Sequence, residues 1–416
     1  AVESEDDRLD ADINVYNRRA MQMDLHNILT KHETVPLIFV KVINSHMIER
    51  MTHSANVDVS SACAEYLKTV VLRYQIYHPN STTFVLFCSN YNEEQVKELS
   101  DKISERFNGI WALGETAYVL DAVVINTMVP KDIQSVEDAF YVADTVIQPE
   151  ANTDKTGIDW IMHCADVERA VRRSVYEKNF EVYYQPTYYL DGYRLHGAEA
   201  LVRMMDDSVG YISPEEFIPV AEQLGLIEGI DDYVLREVCA FLASGVPKAR
   251  KMECINVNLS VIQCMRPGFF EHIVGIVDSY GVSHSLINFE ITESVGAENY
   301  DRLAVVTRKL KDAGFSLSMD DFGTGYSNME GIFAMNFDVI KIDKSLLWGA
   351  EKNPRGMTIL KSSVNMIRDL GCQVLVEGVE TAAQIEILRD LGVDFLQGFY
   401  FSEPEPKERF LEIIAS

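Results

Sequence analysis

The apolar residues of this chain change rhythm along its length. In the second half, short strand-like apolar runs occur at Val182–Gln185, Ile255–Leu259, Ile287–Ile291, Ser316–Met319, Val339–Ile342 and Val374–Val376. Longer segments with helical spacing lie between them: Phe269–Tyr280, Tyr300–Ala313, Met357–Leu370 and Ala383–Leu391. Several of these helical segments close on glycine (Gly281, Gly314, Gly371, Gly392), a common helix stop. Strand–helix alternation of this kind predicts a parallel α/β fold. Its extent of roughly 240 residues suits a (β/α)8 TIM-like barrel. A doubly wound open sheet is the alternative, but no Gly-x-Gly-x-x-Gly follows an early strand.

The first part of the chain predicts a smaller α/β domain. Helical stretches Arg18–Leu29, Ser60–Tyr74 and Asn92–Phe107 alternate with strands Leu37–Val42, Thr83–Cys88 and Val119–Asn126. The polar run Gln148–Gly157 carries proline and glycine and lacks an apolar period, so it reads as a linker. The expected organisation is residues 1–150, a linker at 151–157, and the barrel at 158–416.

Composition narrows the function. The formal net charge is −27, and both parts share it: residues 1–150 carry 12 Lys and Arg against 23 Asp and Glu. Such acidity speaks against binding a nucleic-acid polymer or an anionic membrane through a basic surface. Seven scattered cysteines without a Cys-x-x-Cys pair suit reduced thiols in a cytoplasmic protein. No apolar run approaches the roughly 18 residues of a membrane span. The start is too acidic for a signal peptide and lacks Met, so the expectation is a fragment of a longer protein. Membrane tethering through a segment outside this chain stays open.

The polar residues of the barrel region hold the chemistry. Nearly every strand run ends in an acid, an amide or a lysine: Glu199, Asn258, Glu290 and Glu293, Asp320 and Asp321, Lys341 and Asp343, Glu377 and Glu380, and Gln397. In a parallel barrel the carboxyl-terminal strand ends converge on one face, where active sites sit. Singly, each acid is explained as an exposed loop residue or a helix cap. Seven strands ending alike are not. Converging carboxylates repel unless cations intervene. The donors are all oxygen, with no His or Cys, which selects Mg²⁺ or Mn²⁺ over zinc. The pair Asp320-Asp321 suits two ions, and two ions suit displacement at a phosphate. Lys341 suits a nucleophilic water or developing charge.

At these residues the chain resembles a known family. His196-Gly-Ala-Glu-Ala-Leu-Val-Arg203 resembles the signature of EAL-domain phosphodiesterases. Tyr184-Gln-Pro186, Asn256-Val-Asn-Leu-Ser260, Phe289-Glu-Ile-Thr-Glu-Ser294, Asp320-Asp-Phe-Gly-Thr-Gly-Tyr326, Ile340-Lys-Ile-Asp343, Glu377-Gly-Val-Glu380 and Gln397-Gly398 follow in family order. The resemblance implies a modified (β/α)8 barrel that linearises cyclic di-GMP to 5′-pGpG with Mg²⁺ or Mn²⁺, two ions in all. It implies Glu199, Asn258, Glu290, Asp320 and Asp321 as metal ligands. Lys341 would orient the attacking water, Glu377 would be the general base, and Gln397 would complete the metal–water shell. Gln185 and Arg203 would contact substrate, and Glu293 would hold the Asp321–Tyr326 loop. Pairing into a homodimer through the barrel is also implied. Arg203-Met204 departs from the family's Arg-Trp, and Tyr326-Ser-Asn328 from Tyr-Ser-Ser; neither removes a ligand.

Ile13-Asn-Val-Tyr-Asn-Arg-Arg-Ala-Met21 resembles the opening of GGDEF domains, which make cyclic di-GMP from GTP. Asn80-Ser-Thr-Thr-Phe84 stands where Gly-Gly-Asp-Glu-Phe is expected, and Leu37–Asn44 lacks a metal-binding Asp. The expectation is a degenerate GGDEF-like domain without cyclase activity, with GTP binding left open. The competing reading of the whole chain is a catalytically silent cyclic di-GMP receptor or scaffold. Such receptors lose metal ligands, and this sequence keeps them all.

Overall fold

The computed structural model describes residues 5–44, 59–113, 116–145, 157–292, 300–324 and 335–415. Glu293, most of the 151–157 linker and the 325–334 part of the loop after Asp321 lie outside the described residues. The chain divides into two compact units, 1–166 and 167–416. The division falls within the helix Ile158–Glu177.

In the first unit a five-stranded sheet runs in the order Tyr16–Asn17, Ile76–Asn80, Thr83–Phe87, Val35–Val42, Ala122–Val129. Val35–Val42 is buried throughout, and its alternate residues feed two cores. Ile38, Val40 and Val42 pack with Cys63, Leu67, Leu99 and Ile103 from the helices Val59–Val70 and Glu93–Phe107. Leu37 and Phe39 pack with Met21, Leu25, Ala139 and Val142 from Arg18–Thr30 and Val136–Asp144.

Two strands of this sheet differ from the pattern expected. Val119–Asn126 is not continuous: the hairpin strand Thr116–Val119 ends before Ala122–Val129 begins. The break is held by Asp121, whose N–H donates to Asn44 Oδ1 at 2.9 Å. Ile76–Asn80 is a strand despite Pro79. The register shifts between Tyr77 and Asn80, and such an irregularity tolerates a residue without an N–H.

The second unit closes an eight-stranded barrel. Its strands are β1 (Phe180–Tyr189), β2 (Leu195–Asp206), β3 (Cys254–Asn258), β4 (Ile287–Thr292), β5 (Ser316–Phe322), β6 (Val339–Ile342), β7 (Gln373–Val376) and β8 (Phe395–Leu396). β2 to β8 are successively parallel. β1 closes the ring antiparallel to both β2 and β8, which makes the barrel a modified one. Helices such as Ile227–Ala243, Phe269–Ser279 and Pro354–Asp369 cover the outside.

Period-two alternation decides what each strand sends inward. Ile255 and Val257, Phe289 and Ile291, Leu317 and Met319, and Ile340 and Ile342 join the large core shared with the helices. That leaves Asn256 and Asn258, Asn288 and Glu290, Ser318 and Asp320, and Lys341 for the interior. One expectation needs correction. Glu199 does not end its strand, because β2 continues to Asp206, where its edge pairs with Gly210–Ile212. Glu199 reaches the site because Asn256 of β3 lies beside it in register.

Candidate active site

Lys341 is fully buried, and four carboxylates surround its ammonium. Nζ lies 3.2 Å from Glu199, 3.1 Å from Glu290, 3.0 Å from Asp320 and 2.9 Å from Glu377. These residues come from β2, β4, β5 and the residue after β7, so only closure of the barrel assembles them. One lysine cannot balance four acids. Burial works against the charge of Lys341, but Asp320, Glu199, Glu290 and Glu377 together raise its pKa well above the lysine range. Burial and the neighbouring acids push Glu290 well above the carboxylate range. Glu377 rises to about 8, through burial and the charges of Asp320 and Glu199. Burial and Asp320 raise Asp321 to about 6. Glu199 behaves differently: against the cost of burial, Lys341, Gln397 and Asn258 hold it below the usual range.

The amides of the site orient the acids. Asn258 Nδ2 donates to Glu199 Oε1 at 3.1 Å, and Gln397 Nε2 donates to Glu199 Oε2 at 2.7 Å. Gln397 Nε2 also reaches Gln185 Oε1 at 3.0 Å, and Gln185 Nε2 donates to the Ser402 carbonyl at 3.1 Å. Both ends of the Gln185 amide are therefore engaged inside the protein. A second layer lies beneath. Asn256 Nδ2 donates to Glu290 Oε1 at 2.7 Å, and Asn288 Nδ2 donates to Asn256 Oδ1 and to Ser318 Oγ. Reading the sequence singled out Asn258 but not Asn256. The signal was present, since the two alternate on one face of β3.

Two overlapping groups of carboxylates can hold cations. Glu199, Glu290 and Asp320 form one, and Asp320, Asp321 and Glu377 the other; in each, the ligand atoms lie within 4.8 Å of one another. Asp320 belongs to both. Asp321 adopts φ +58, a left-handed backbone uncommon for a side chain other than glycine and typical of functional sites. Gln397 Oε1 is buried with no hydrogen-bond partner among the described residues, although its residue sits beside Glu199. Raised carboxylate pKa values, an orphan carbonyl and an all-oxygen donor set fit divalent hard cations.

Above the acids opens a cavity of about 530 Å³. Its lining includes Gln185, Arg203, Asp343, Lys344, Trp348 and Glu380. Arg203 also lines a neighbouring hollow of about 300 Å³ with Asn179, Glu181, Tyr183 and Tyr211. Its guanidinium lies 5.4 Å from the Tyr183 ring centroid. Met204 is fully buried against the apolar cluster of Phe180 and Phe217. Lys344, Trp348 and Glu215 line the cavity without having been singled out from the sequence. Among the described residues, no helix is long and apolar enough to cross a membrane.

Comparison with known proteins places this arrangement. The family model described as "EAL domain" matches residues 168–404. An uncharacterized signaling protein of Caulobacter vibrioides is 37% identical over 248 residues, covering 60% of this chain and 30% of that protein. Cyclic di-GMP phosphodiesterase NbdA of Pseudomonas aeruginosa is 26% identical over 331 residues, covering 78% of this chain and 42% of that protein. The chain thus spans less than half the length of either relative. The solved structure of PaMucR phosphodiesterase in complex with c-di-GMP is 30% identical and superposes with a TM-score of 0.56, over 59% of this chain and 99% of that one. The buried acids around Lys341 lie within the matched region, and the chain belongs to the EAL-domain family.

Proposed function

We propose that the barrel hydrolyses cyclic di-GMP to 5′-pGpG, using two Mg²⁺ or Mn²⁺ ions. The observation that carries this reading is the pair of overlapping carboxylate groups sharing Asp320 around the buried Lys341. The substrate class rests on the relatives: one is named a cyclic di-GMP phosphodiesterase, and a solved one holds c-di-GMP.

Glu199, Glu290, Asp320 and Asp321, with Asn258, would hold the ions. Bound there, the ions supply neutralisation of the phosphate and a lowered pKa for the attacking water. The remaining work belongs to the chain. Glu377 accepts the proton of the water, from a carboxylate held 2.9 Å from the Lys341 ammonium and beside Asp320. Lys341 orients the attacking water and, within ion-pair distance of four acids, fixes their spacing, so the charge developing at phosphorus meets a preorganised field. Gln397 presents its carbonyl to water, and Gln185, in the cavity lining, contacts substrate and holds the Gln397 amide in place. Arg203 and its neighbouring hollow take a guanine edge or a phosphate oxygen. Glu293 holds the Asp321–Tyr326 loop in this reading. Incubation with cyclic di-GMP and Mn²⁺, followed by chromatography, tests the reaction. The expected product is 5′-pGpG, absent when chelator is in excess.

The first unit is, in the same reading, a degenerate GGDEF-like domain without cyclase activity. Two features support this. The hairpin of Ile76–Asn80 and Thr83–Phe87 turns on Ser81 and Thr82, so neither glycines nor acids stand there. On the adjacent strand, the buried ammonium of Lys41 donates at 2.7 Å to the carbonyls of Val142 and Ala143, where a metal site would need a carboxylate. Homodimer formation through the barrel and a cytoplasmic location complete the proposal.

A further inference from the structure

The cavity above the acids has two basic side chains in its lining, Arg203 and Lys344. Arg203 is on β2, and Lys344 begins the helix Lys344–Lys352 that follows β6. In a ring of eight strands, β2 and β6 are four strands apart in either direction, so they face each other across the mouth. The acids lie between them. Trp348 follows Lys344 by four residues and therefore shares its helix face. It is half-buried, lines the same cavity, and has the Lys344 Nζ 5.4 Å from its ring centroid. Lys344 is exposed and has no ion pair among the described residues.

This corner is built against the residue after Glu377. Trp348 Nε1 donates to the Gly378 carbonyl at 3.2 Å. Gly378 has φ +64, and a Cβ there would lie 2.3 Å from Lys344 Cβ, so the loop and the helix start are in close contact. A structural role for the indole N–H accounts for that bond. It leaves the indole ring, and an ammonium with no ion pair among the described residues, on the cavity wall opposite Arg203.

A cyclic dinucleotide has two equivalent halves. With one phosphodiester over the acids and one base toward Arg203, the other nucleotide must extend to the opposite wall. We propose that Lys344 and Trp348 form a second nucleotide subsite, the ammonium on the phosphate that is not cut and the indole against its purine. The proposal rests on the reading of the barrel as a cyclic di-GMP phosphodiesterase. Aromatic contact with a base and a cation on a phosphate are the two interactions by which proteins hold nucleotides without reading sequence.

The test uses the full chain. Steady-state hydrolysis of cyclic di-GMP is measured in Mn²⁺ for Lys344→Ala, Lys344→Arg, Trp348→Leu and Trp348→Phe. Binding is followed in Ca²⁺ by tryptophan fluorescence. Lys344→Ala and Trp348→Leu are expected to raise KM about tenfold, the effect of one lost charge contact or base contact. Lys344→Arg restores KM, and Trp348→Phe keeps it near the starting value because a ring remains. Substrate quenches the fluorescence of the unmodified chain, and most of that quench disappears in Trp348→Phe. Unchanged KM in both Lys344→Ala and Trp348→Leu, with turnover intact, overturns the subsite and leaves the phosphodiesterase standing. If Trp348→Leu fails to fold, Lys344→Ala and the fluorescence of Trp348→Phe still decide. A chain that neither binds nor cuts cyclic di-GMP overturns both proposals.

Discussion

Each unit of this protein buries a lysine on a strand, and the two lysines have opposite fates. Lys41 is 5% exposed, and its ammonium meets two backbone carbonyls. Burial pushes its pKa down to about 8, only partly offset by Asp144. Lys341 is 0% exposed, yet its surrounding acids drive its pKa upward. Burial penalises charge in both places; what differs is the neighbours. Dipoles around Lys41 satisfy a cation locally and ask for nothing more. Four carboxylates around Lys341 leave a deficit of positive charge, which is the condition for recruiting metal.

The largest effect that would sharpen this contrast is at Glu377. Glu377→Gln is expected to lower kcat by about 10²–10⁴-fold, the usual worth of a general base. Circular dichroism and the melting temperature should stay close to the starting values, because shape is kept. Near-normal turnover would show that another group takes the proton.

The amino-terminal counterpart is a stability measurement. Lys41 has a folded pKa of about 8 against 10.5 for a free lysine. Between those values the unfolded state binds more protons, so stability rises with pH across the window. The cost of burial is fully present below pH 8 and gone above 10.5. Relative to Lys41→Met, the unmodified unit should gain up to about 3 kcal/mol between pH 7.5 and 10.5 in urea unfolding. Parallel pH profiles for the two proteins would mean that Lys41 stays charged in the fold.

Smaller effects should appear in metal affinity. Asn256→Ala removes the donor to Glu290, and the activation midpoint for Mn²⁺ should rise about 10- to 100-fold, as for other ligand-orienting groups. A proton on Asp321 competes with the cation, so the midpoint should fall as pH rises through about 6. A midpoint independent of pH would remove Asp321 from the metal site. The least change is expected from deletion. Residues 158–416 alone should retain hydrolysis, while the intact chain makes no cyclic di-GMP from labelled GTP. A folded but inactive fragment would assign the first unit a part in catalysis.

Much of the barrel was legible beforehand for a simple reason. The apolar pattern predicts Val339–Ile342 with its observed ends and β3 and β4 to within a residue, because apolar residues on one face and polar on the other leave little choice of element. Boundaries failed where tertiary pairing extended a strand beyond its apolar run. β1 is much longer than the apolar run Val182–Gln185 because it pairs with β2 as a hairpin, which satisfies backbone groups beyond that run. Ile76–Asn80 is not among the strands the sequence predicts; it contains Pro79, which the irregular register of the sheet there accommodates.

The alternation in Ile255-Asn-Val-Asn-Leu and Val339-Ile-Lys-Ile by itself determined that Asn256, Asn258 and Lys341 would turn away from the helices. Side-chain direction in a strand is a local property with period two, so no distant residue is needed to read it. Distances are not local. Glu199 and Lys341 are 142 positions apart and 3.2 Å from each other only because β1 closes the ring. The same closure decides which carboxyls have their pKa pushed up and which are held down. Glu199 and Glu290 are the same residue type at similar depth, yet their pKa values move in opposite directions. Two amides donate to Glu199 beside Lys341, whereas charged neighbours crowd Glu290, and that balance of dipoles and charges exists only in three dimensions.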